Sequence, residues 1–274
     1  MAKRYQTVLV TGASSGMGKD FAARLLKDGY TVYAAARSVD KMSDLAEAGA
    51  IVLKMDITKD DDIVAAVDQI VAGHGGVDVL INNAGYAQYG PVEETPIETA
   101  RNQFEVNLFG LARVTQLLLP AMRSKGKGLI INISSMGGKI YTPLGAWYHA
   151  TKHAVEGWSD CLRIELRPHG IDVAIIEPGI IRTGFGDAME GSFKGDSNGP
   201  YKTLIKSLIE SAKESYETGM GSSASVITDQ VMRAITARRP RTRYVAGAMA
   251  RPLMYMRRLL PDRMFDRVLM SQLK

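Results

Sequence analysis

Two kinds of apolar spacing alternate along the chain. Short, near-continuous runs of Val, Ile, Leu and Ala are separated by stretches in which apolar residues recur every three or four positions. The first kind suits a strand buried on both faces and the second an amphipathic helix. The runs predict strands at YQTVLVTG (5–12), TVYAAAR (31–37), AIVLKMD (50–56), VDVLINNAG (77–85), GLIINIS (128–134) and IDVAIIEPG (171–179), with a short last one at RTRYVAG (241–247). The intervening spacing predicts helices at 16–28, 40–48, from Asp60 onward, 94–125, 148–167 and 201–217. Gly29 stands where a chain leaves a helix, and Asp60 to Asp62 supply acid at the positive end of a helix dipole. Residues 249–274 read as amphipathic helical turns broken at Pro261.

Strands alternating with helices predict an α/β fold: a single Rossmann-like, doubly wound parallel sheet of about seven strands, with helices on both faces and a small C-terminal helical extension. Ligands of such sheets lie beyond the carboxyl ends of the strands. TGASSGMG, Ala36-Arg37, Asp56, NNAG, Ser134-Ser135 and EPG all fall at those ends. One domain is expected over 1–274. Residues 184–223, a Gly- and Ser-rich loop followed by a helix, suit a substrate lid, and 249–274 a basic amphipathic extension.

Charge changes this picture little. From Arg233 onward eleven Lys or Arg face two Asp or Glu, a net +9, whereas residues 1–232 carry −4. The asymmetry admits an anionic partner. Solvated arginines around an apolar C-terminal face account for it as well, and that reading is preferred to a membrane contact. No zinc-finger spacing or aromatic RNA-binding signature accompanies the bases, so nucleic-acid binding is not expected. The single cysteine, Cys161, rules out an intrachain disulfide and suits a reducing, cytoplasmic setting; its helical pattern predicts a small core filler. The early apolar strand leaves no room for a signal peptide after Met1, and no run is long enough to span a membrane. No metal-ligand grouping of Asp, Glu and His is evident.

Candidate chemistry starts at AWYHATKHAVEG (146–157). Tyr148 and Lys152 are four apart and share a face if the segment is helical. An ammonium beside a phenol favours phenolate. Bringing a tyrosine from about 10 to near 7 takes roughly 4 kcal/mol. One charge at about 4 Å supplies roughly that at an effective dielectric near 20. Upstream, TGASSGMG joins the first strand to the first helix. Gly12, Gly16 and Gly18 allow a tight turn and a close approach to a pyrophosphate, with Ser14, Ser15 and Met17 between them. The spacing G-x-x-x-G-x-G differs from G-x-G-x-x-G, and no Gly-Lys-Ser/Thr follows to make a P-loop.

Taken in order, TG-x-x-x-G-x-G, NNAG (82–85), the Asn of EVNLFG, SS-x-x-G (134–138), Tyr-x-x-x-Lys and PG-x-x-x-T (178–183) resemble the short-chain dehydrogenases/reductases over about residues 5–185. That resemblance implies hydride transfer between a nicotinamide dinucleotide and a carbonyl or alcohol. It implies Tyr148 as acid/base and Ser135, thirteen residues earlier, orienting the substrate oxygen. Lys152 would lower the tyrosine pKa and hold the nicotinamide ribose. Asn107 would hold a helix distortion and a water linking Lys152 to solvent. It also places Asn83, Ala84, Gly85, Pro178, Gly179, Ile181 and Thr183 at the cofactor, with Asp56 and Ile57 framing the adenine, and implies a homodimer or homotetramer. Ser134 is a close rival of Ser135, and Asn82 and Asn83 also suit ordinary turns. Tyr141 lacks a lysine one turn on and is rejected as the acid; His149 and His153 are read as structural.

At the end of the second strand, Ala36 stands where an acid would bind the ribose hydroxyls of NAD, and Arg37 follows. Losing the acid removes repulsion against a 2′-phosphate, which Arg37 can hold with help from Ser14 or Ser38, so NADP(H) is the expected cofactor. The Met- and Leu-rich tail favours a bulky lipophilic ketone or alcohol. The alternatives are a member acting on small polar keto or hydroxy compounds, a catalytically silent NADP-binding or interaction protein, and a lipid-surface protein using the basic tail.

Overall fold

Side chains in β1 (Thr7–Thr11) alternate between two cores: Val8 and Val10 face one, Leu9 the other. The same division holds in β4 (Val79–Asn82), where Val79 and Ile81 oppose Leu80. In β5 (Gly128–Ile133), Leu129 and Ile131 oppose Ile130. A strand buried on both faces has no room for polar alternation, which is why these segments read as unbroken apolar runs. The computed structural model describes residues 3–182, 199–217 and 221–271, apart from the side chains of 212 and 214–217.

The sheet also contains β2 (Thr31–Ala36), β3 (Ile51–Lys54), β6 (Ile171–Pro178) and β9 (Arg243–Ala246). Its order is β3-β2-β1-β4-β5-β6-β9, with every pairing parallel. The seven strands match the expected doubly wound sheet. The chain reverses its direction of travel between β1 and β4, which opens the crevice at their carboxyl ends. A separate small pair, β7 (Ile181–Arg182) and β8 (Ser222–Ser223), had not been foreseen.

One face is covered by α1 (Gly16–Lys27), α2 (Ser43–Glu47) and α8 (Ser225–Thr236), through Phe21, Leu25, Leu45, Ile227, Val231 and Ile235. The other is covered by α3 (Asp60–His74), α5 (Gly110–Lys125) and α6 (Ala146–Leu166), through Ile63, Ile70, Val114, Leu118 and Leu162. Each such side chain, fully buried, stabilises the fold by about 1.5–3 kcal/mol. The helix α8 was not read from the sequence, although Ile227, Val231 and Ile235 recur every fourth residue.

Other expectations need correction. The helix expected over 94–125 is two helices, α4 (Ile97–Phe104) and α5, joined by a π-helical turn at Glu105–Phe109. Cys161 is exposed and no core filler. The buried stripe of α6 runs through Val155, Ser159 and Leu162, and Cys161 falls outside it. Of the expected lid, α7 (Lys202–Glu217) forms as predicted, while 184–198 and 218–220 lie outside the described residues. The C-terminal segment forms α9 (Ala250–Leu259) and α10 (Asp262–Ser271), parted at Pro261, with 272–274 outside the described residues. Phe265 is fully buried and meets the Tyr141 ring edge-on at 5.3 Å, which fastens α10 to the loop before α6. Among the described residues no helix is long and apolar enough to cross a membrane.

Candidate active site

Where β1 ends, the chain turns through Gly12 and enters α1. Gly12 has φ +67°, and a Cβ there would lie 2.9 Å from the Ala84 Cα. A Cβ on Gly18 would overlap the Gly12 carbonyl oxygen and the Asn83 side chain. The absence of these side chains brings two strand-end loops together. Asn83 donates from Nδ2 to the Thr11 carbonyl (3.0 Å), and the Asn83 and Ala84 N–H groups both donate to Thr11 Oγ1 (3.0 Å each). The N-terminus of α1 therefore opens into the crevice. Ser15 is its N-cap residue and makes no capping bond with its side chain, which leaves the hydroxyl for a ligand. Ser14 and Met17 are half-buried beside it, Met17 against the core.

At the neighbouring strand ends Ala36 is buried and Arg37 exposed. The Arg37 charge reaches Asp56 and Tyr86; burial raises the Tyr86 phenol all the same, with Asn102 and Arg37 pulling the other way. Burial works against ionisation of Asp56, but Thr58 overcomes it by donating to Oδ1 from its N–H (3.0 Å) and hydroxyl (2.8 Å), so the carboxyl sits below its usual range. Ile57 is buried against Gly110 at the start of α5. No carboxylate follows Ala36 on β2, and the first acids after it are at Asp40 and beyond. A pyrophosphate cradle without Cβ atoms, an unengaged Ser15 hydroxyl and an arginine at the tip of β2 fit a dinucleotide carrying a 2′-phosphate.

On the other side of the crevice, Ser135 caps a single 3-10 turn (Met136–Gly138) by accepting from the Gly137 N–H at 3.0 Å. Tyr148 stands in the first turn of α6, where Ser135 favours ionisation of its hydroxyl. Ser134, the rival, is buried, and its hydroxyl has no hydrogen-bond partner among the described residues. Tyr148 and Lys152 are both 7% exposed, so both are sheltered from water.

Their positions agree with the sequence reading, but the electrostatics do not. Burial raises the Tyr148 pKa, opposed by the Ser135 hydrogen bond. The Lys152 ammonium donates to the Ile133 carbonyl at 3.0 Å. Burial also lowers Lys152 to about 8, against the pull of Glu156 one turn on. Burial thus opposes the charged form of each group, and Lys152 does not offset it for the phenol. The reason is desolvation, which penalises both charged forms.

Asn107 lies in the π-helical turn. It accepts the Tyr86 N–H at Oδ1 (3.0 Å) and donates from Nδ2 to the Tyr86 carbonyl (2.9 Å) and to Thr151 Oγ1 (3.0 Å). A Cβ on Gly85 would sit 3.1 Å from Asn107 Oδ1 and 3.7 Å from Lys152 Nζ, so Gly85 is the wall between them. His149 accepts the Thr142 N–H at Nε2 (3.0 Å) and donates from Nδ1 to the Gly137 carbonyl (2.9 Å). It binds the Ser135 turn and the following loop to α6. Tyr141, rejected as the acid, donates its hydroxyl to Asp266 at 2.9 Å.

Tyr89 went unnoticed in the sequence. Its ring centroid is 5.9 Å from that of Tyr148, and with Ala87, Leu144 and Leu208 of α7 it makes an apolar wall. Its place just beyond NNAG, at a strand end pointing into the crevice, was the available signal. Tyr201, at the start of the α7 segment, donates to Glu93 Oε2 at 2.9 Å and holds that segment over the wall. Pro178, Gly179 and Ile181 continue from β6 into β7, whereas Thr183 lies outside the described residues.

The family described as short chain dehydrogenase matches residues 6–191. The chain is 35% identical over 282 aligned residues to the NADPH-dependent 3-dehydrocapnine reductase of Ornithobacterium rhinotracheale, covering 97% of this chain and 96% of the relative. It is 38% identical over 211 residues to the 3-ketodihydrosphingosine reductase of Bacteroides thetaiotaomicron, covering 76% and 77%. A crystal structure of a short-chain dehydrogenase from Streptomyces avermitilis superposes with a TM-score of 0.80 at 32% identity, covering 92% of each chain.

Proposed function

The chain belongs to the short-chain dehydrogenase/reductase family and is an oxidoreductase acting on CH–OH or C=O groups, and from that premise we propose an NADP(H)-dependent reductase of a bulky lipophilic ketone. The observation that carries this reading is the buried Tyr148, its ionisation favoured by Ser135 and with Lys152 one turn away, at the carboxyl edge of the sheet. Bound NADPH supplies hydride to the carbonyl carbon. The Tyr148 hydroxyl donates its proton to the carbonyl oxygen, and Ser135 holds that oxygen by hydrogen bonding. Lys152, within reach of Gly85 and Asn107, positions the nicotinamide ribose and restores the phenol proton. Gly12, Ser14, Ser15, Gly16, Met17 and Gly18 receive the pyrophosphate and adenosine. Arg37 holds the 2′-phosphate, and Asp56 and Ile57 frame the adenine. Asn83, Ala84, Gly85, Pro178, Gly179 and Ile181 line the nicotinamide half.

The wall around the phenol supports this substrate class. Ala87, Tyr89, Leu144 and Leu208 offer apolar contact, which suits a lipophilic chain or ring better than a small hydroxy acid. The two named relatives are described as reductases of 3-dehydro and 3-keto compounds, and one as NADPH-dependent. Of the lid expected over 184–223, α7 is the described part, and its Leu208 packs against Tyr148 and Tyr89. The family resemblance extends the proposal to a homodimer or homotetramer built of single-domain subunits.

The test is NADPH oxidation, followed by absorbance, against a panel of long-chain, steroid, aromatic and small polar ketones. Turnover should concentrate on the lipophilic members. Preference for the small polar ones would refute the substrate class, and no turnover on any would refute the reductase reading.

A further inference from the structure

At the far edge of the sheet, β9, the second half of α8 and α9 enclose a cavity of about 590 Å3. None of the residues assigned above to the nucleotide crevice lines it. Seven of its lining side chains are Lys or Arg, and Glu177 is its one acid. Three of the cations are already paired: Lys139 with Glu156, Arg243 with Glu156, Asp160 and Glu177, and Arg257 with Asp262. The remaining four, Arg233, Arg241, Arg251 and Arg258, have no carboxylate within salt-bridge distance among the described residues.

Four guanidinium groups without a carboxylate partner among the described residues, set around one concavity, repel each other, and their forked donors match the oxygens of a tetrahedral anion. Glu177 does not cancel that field. It is completely buried and faces Arg243, whose Nε lies 3.4 Å from Oε1, and that burial disfavours its ionised form. From this arrangement we propose that the cavity is a binding site for a phosphate group, carried by a small phosphorylated molecule or by a lipid headgroup. Its rim admits either source. Tyr255 lines it while 63% exposed, and Leu259, one turn further along α9, is 77% exposed. Exposed apolar residues among arginines on a surface helix are the pattern of interfacial lipid contact. The volume suits a headgroup-sized ligand.

The experiment uses the full chain saturated with NADPH, so that phosphate binding in the nucleotide crevice is suppressed. Glycerol 3-phosphate is titrated calorimetrically. In parallel, sedimentation measures binding to phosphatidylcholine vesicles with and without phosphatidic acid. The comparison is the Arg241→Ala/Arg251→Ala/Arg258→Ala variant, whose three positions are exposed and outside the catalytic site. Binding of the soluble ester, weakened at least about tenfold in the variant, places the site among small-molecule sites, because three charge-assisted contacts are lost. Binding only to vesicles containing phosphatidic acid, lost in the variant, identifies a headgroup site. If neither probe binds, or if the variant binds as well as the parent, the proposal fails. Should the triple variant not fold, Arg258→Glu alone is read in the same way. NADPH affinity and ketone turnover without phosphate stay unchanged in either variant, which separates this site from the catalytic one.

Discussion

Lys152 donates its ammonium proton to the carbonyl oxygen of Ile133 across 3.0 Å, inside a site closed to water. Burial lowers the lysine from 10.5 to about 8. Below pH 8 the ammonium is charged in both folded and unfolded chains, and its full desolvation cost weighs on the native state. Between about 8 and 10.5 the unfolded chain binds more protons than the native one, so stability rises with pH across that window. Melting temperatures of the wild type and Lys152→Met, compared at a series of pH values, should therefore shift in favour of the wild type between those limits. A constant difference would mean that the lysine titrates in the fold as it does in water.

Tyr148→Phe removes the hydroxyl that meets Ser135 while keeping the ring against Tyr89. NADPH affinity should stay within about twofold, while kcat for ketone reduction falls roughly 10²- to 10⁴-fold, the range expected for losing a positioned acid. Fluorescence titration of NADPH alongside steady-state turnover separates the two effects. Wild-type turnover in this variant would remove Tyr148 from the chemistry.

The strand runs and motif order made the sheet and the nucleotide crevice legible, because a strand buried on both faces has no polar positions to confuse it. The break at Asn107 was legible only through the family resemblance, since a π-helical turn inserts a residue without disturbing the apolar spacing on either side. The helix α8 was hidden by the Gly- and Ser-rich stretch before it. The state of Lys152 was hidden for a different reason: four-residue spacing fixes proximity, but the winning term, desolvation by the surrounding fold, is not local to the helix. Tyr89 met the phenol through a loop whose path only the tertiary fold determines.

Arg37 is exposed at the tip of β2, directly after the buried Ala36. Arg37→Ala should weaken NADPH by roughly tenfold or more, through loss of charge-assisted bonds to the 2′-phosphate, and leave NADH nearly unaffected. Titrating the variant with both cofactors checks this. Equal weakening of the two would place the arginine away from the phosphate.

Glu177 is fully buried between Arg243 and a second buried acid, Glu156. Burial first, then repulsion from Glu156, raises its carboxyl from 4.5 to about 7, with Arg243 and Lys139 pulling the other way. A raised carboxyl means that the native chain binds more protons than the unfolded one between those values, so the wild type loses stability as pH climbs through that window. Glu177→Gln has no proton to lose, and Arg243 keeps Glu156 at 3.0 Å and Asp160 at 2.7 Å as partners. The variant's melting temperature relative to wild type should therefore improve steadily from pH 5 to pH 8, where the wild-type acid is charged. If the gap stayed flat across this range, or widened toward acid, the carboxylate would be ionised throughout. Arg243 would then neutralise it completely despite its burial.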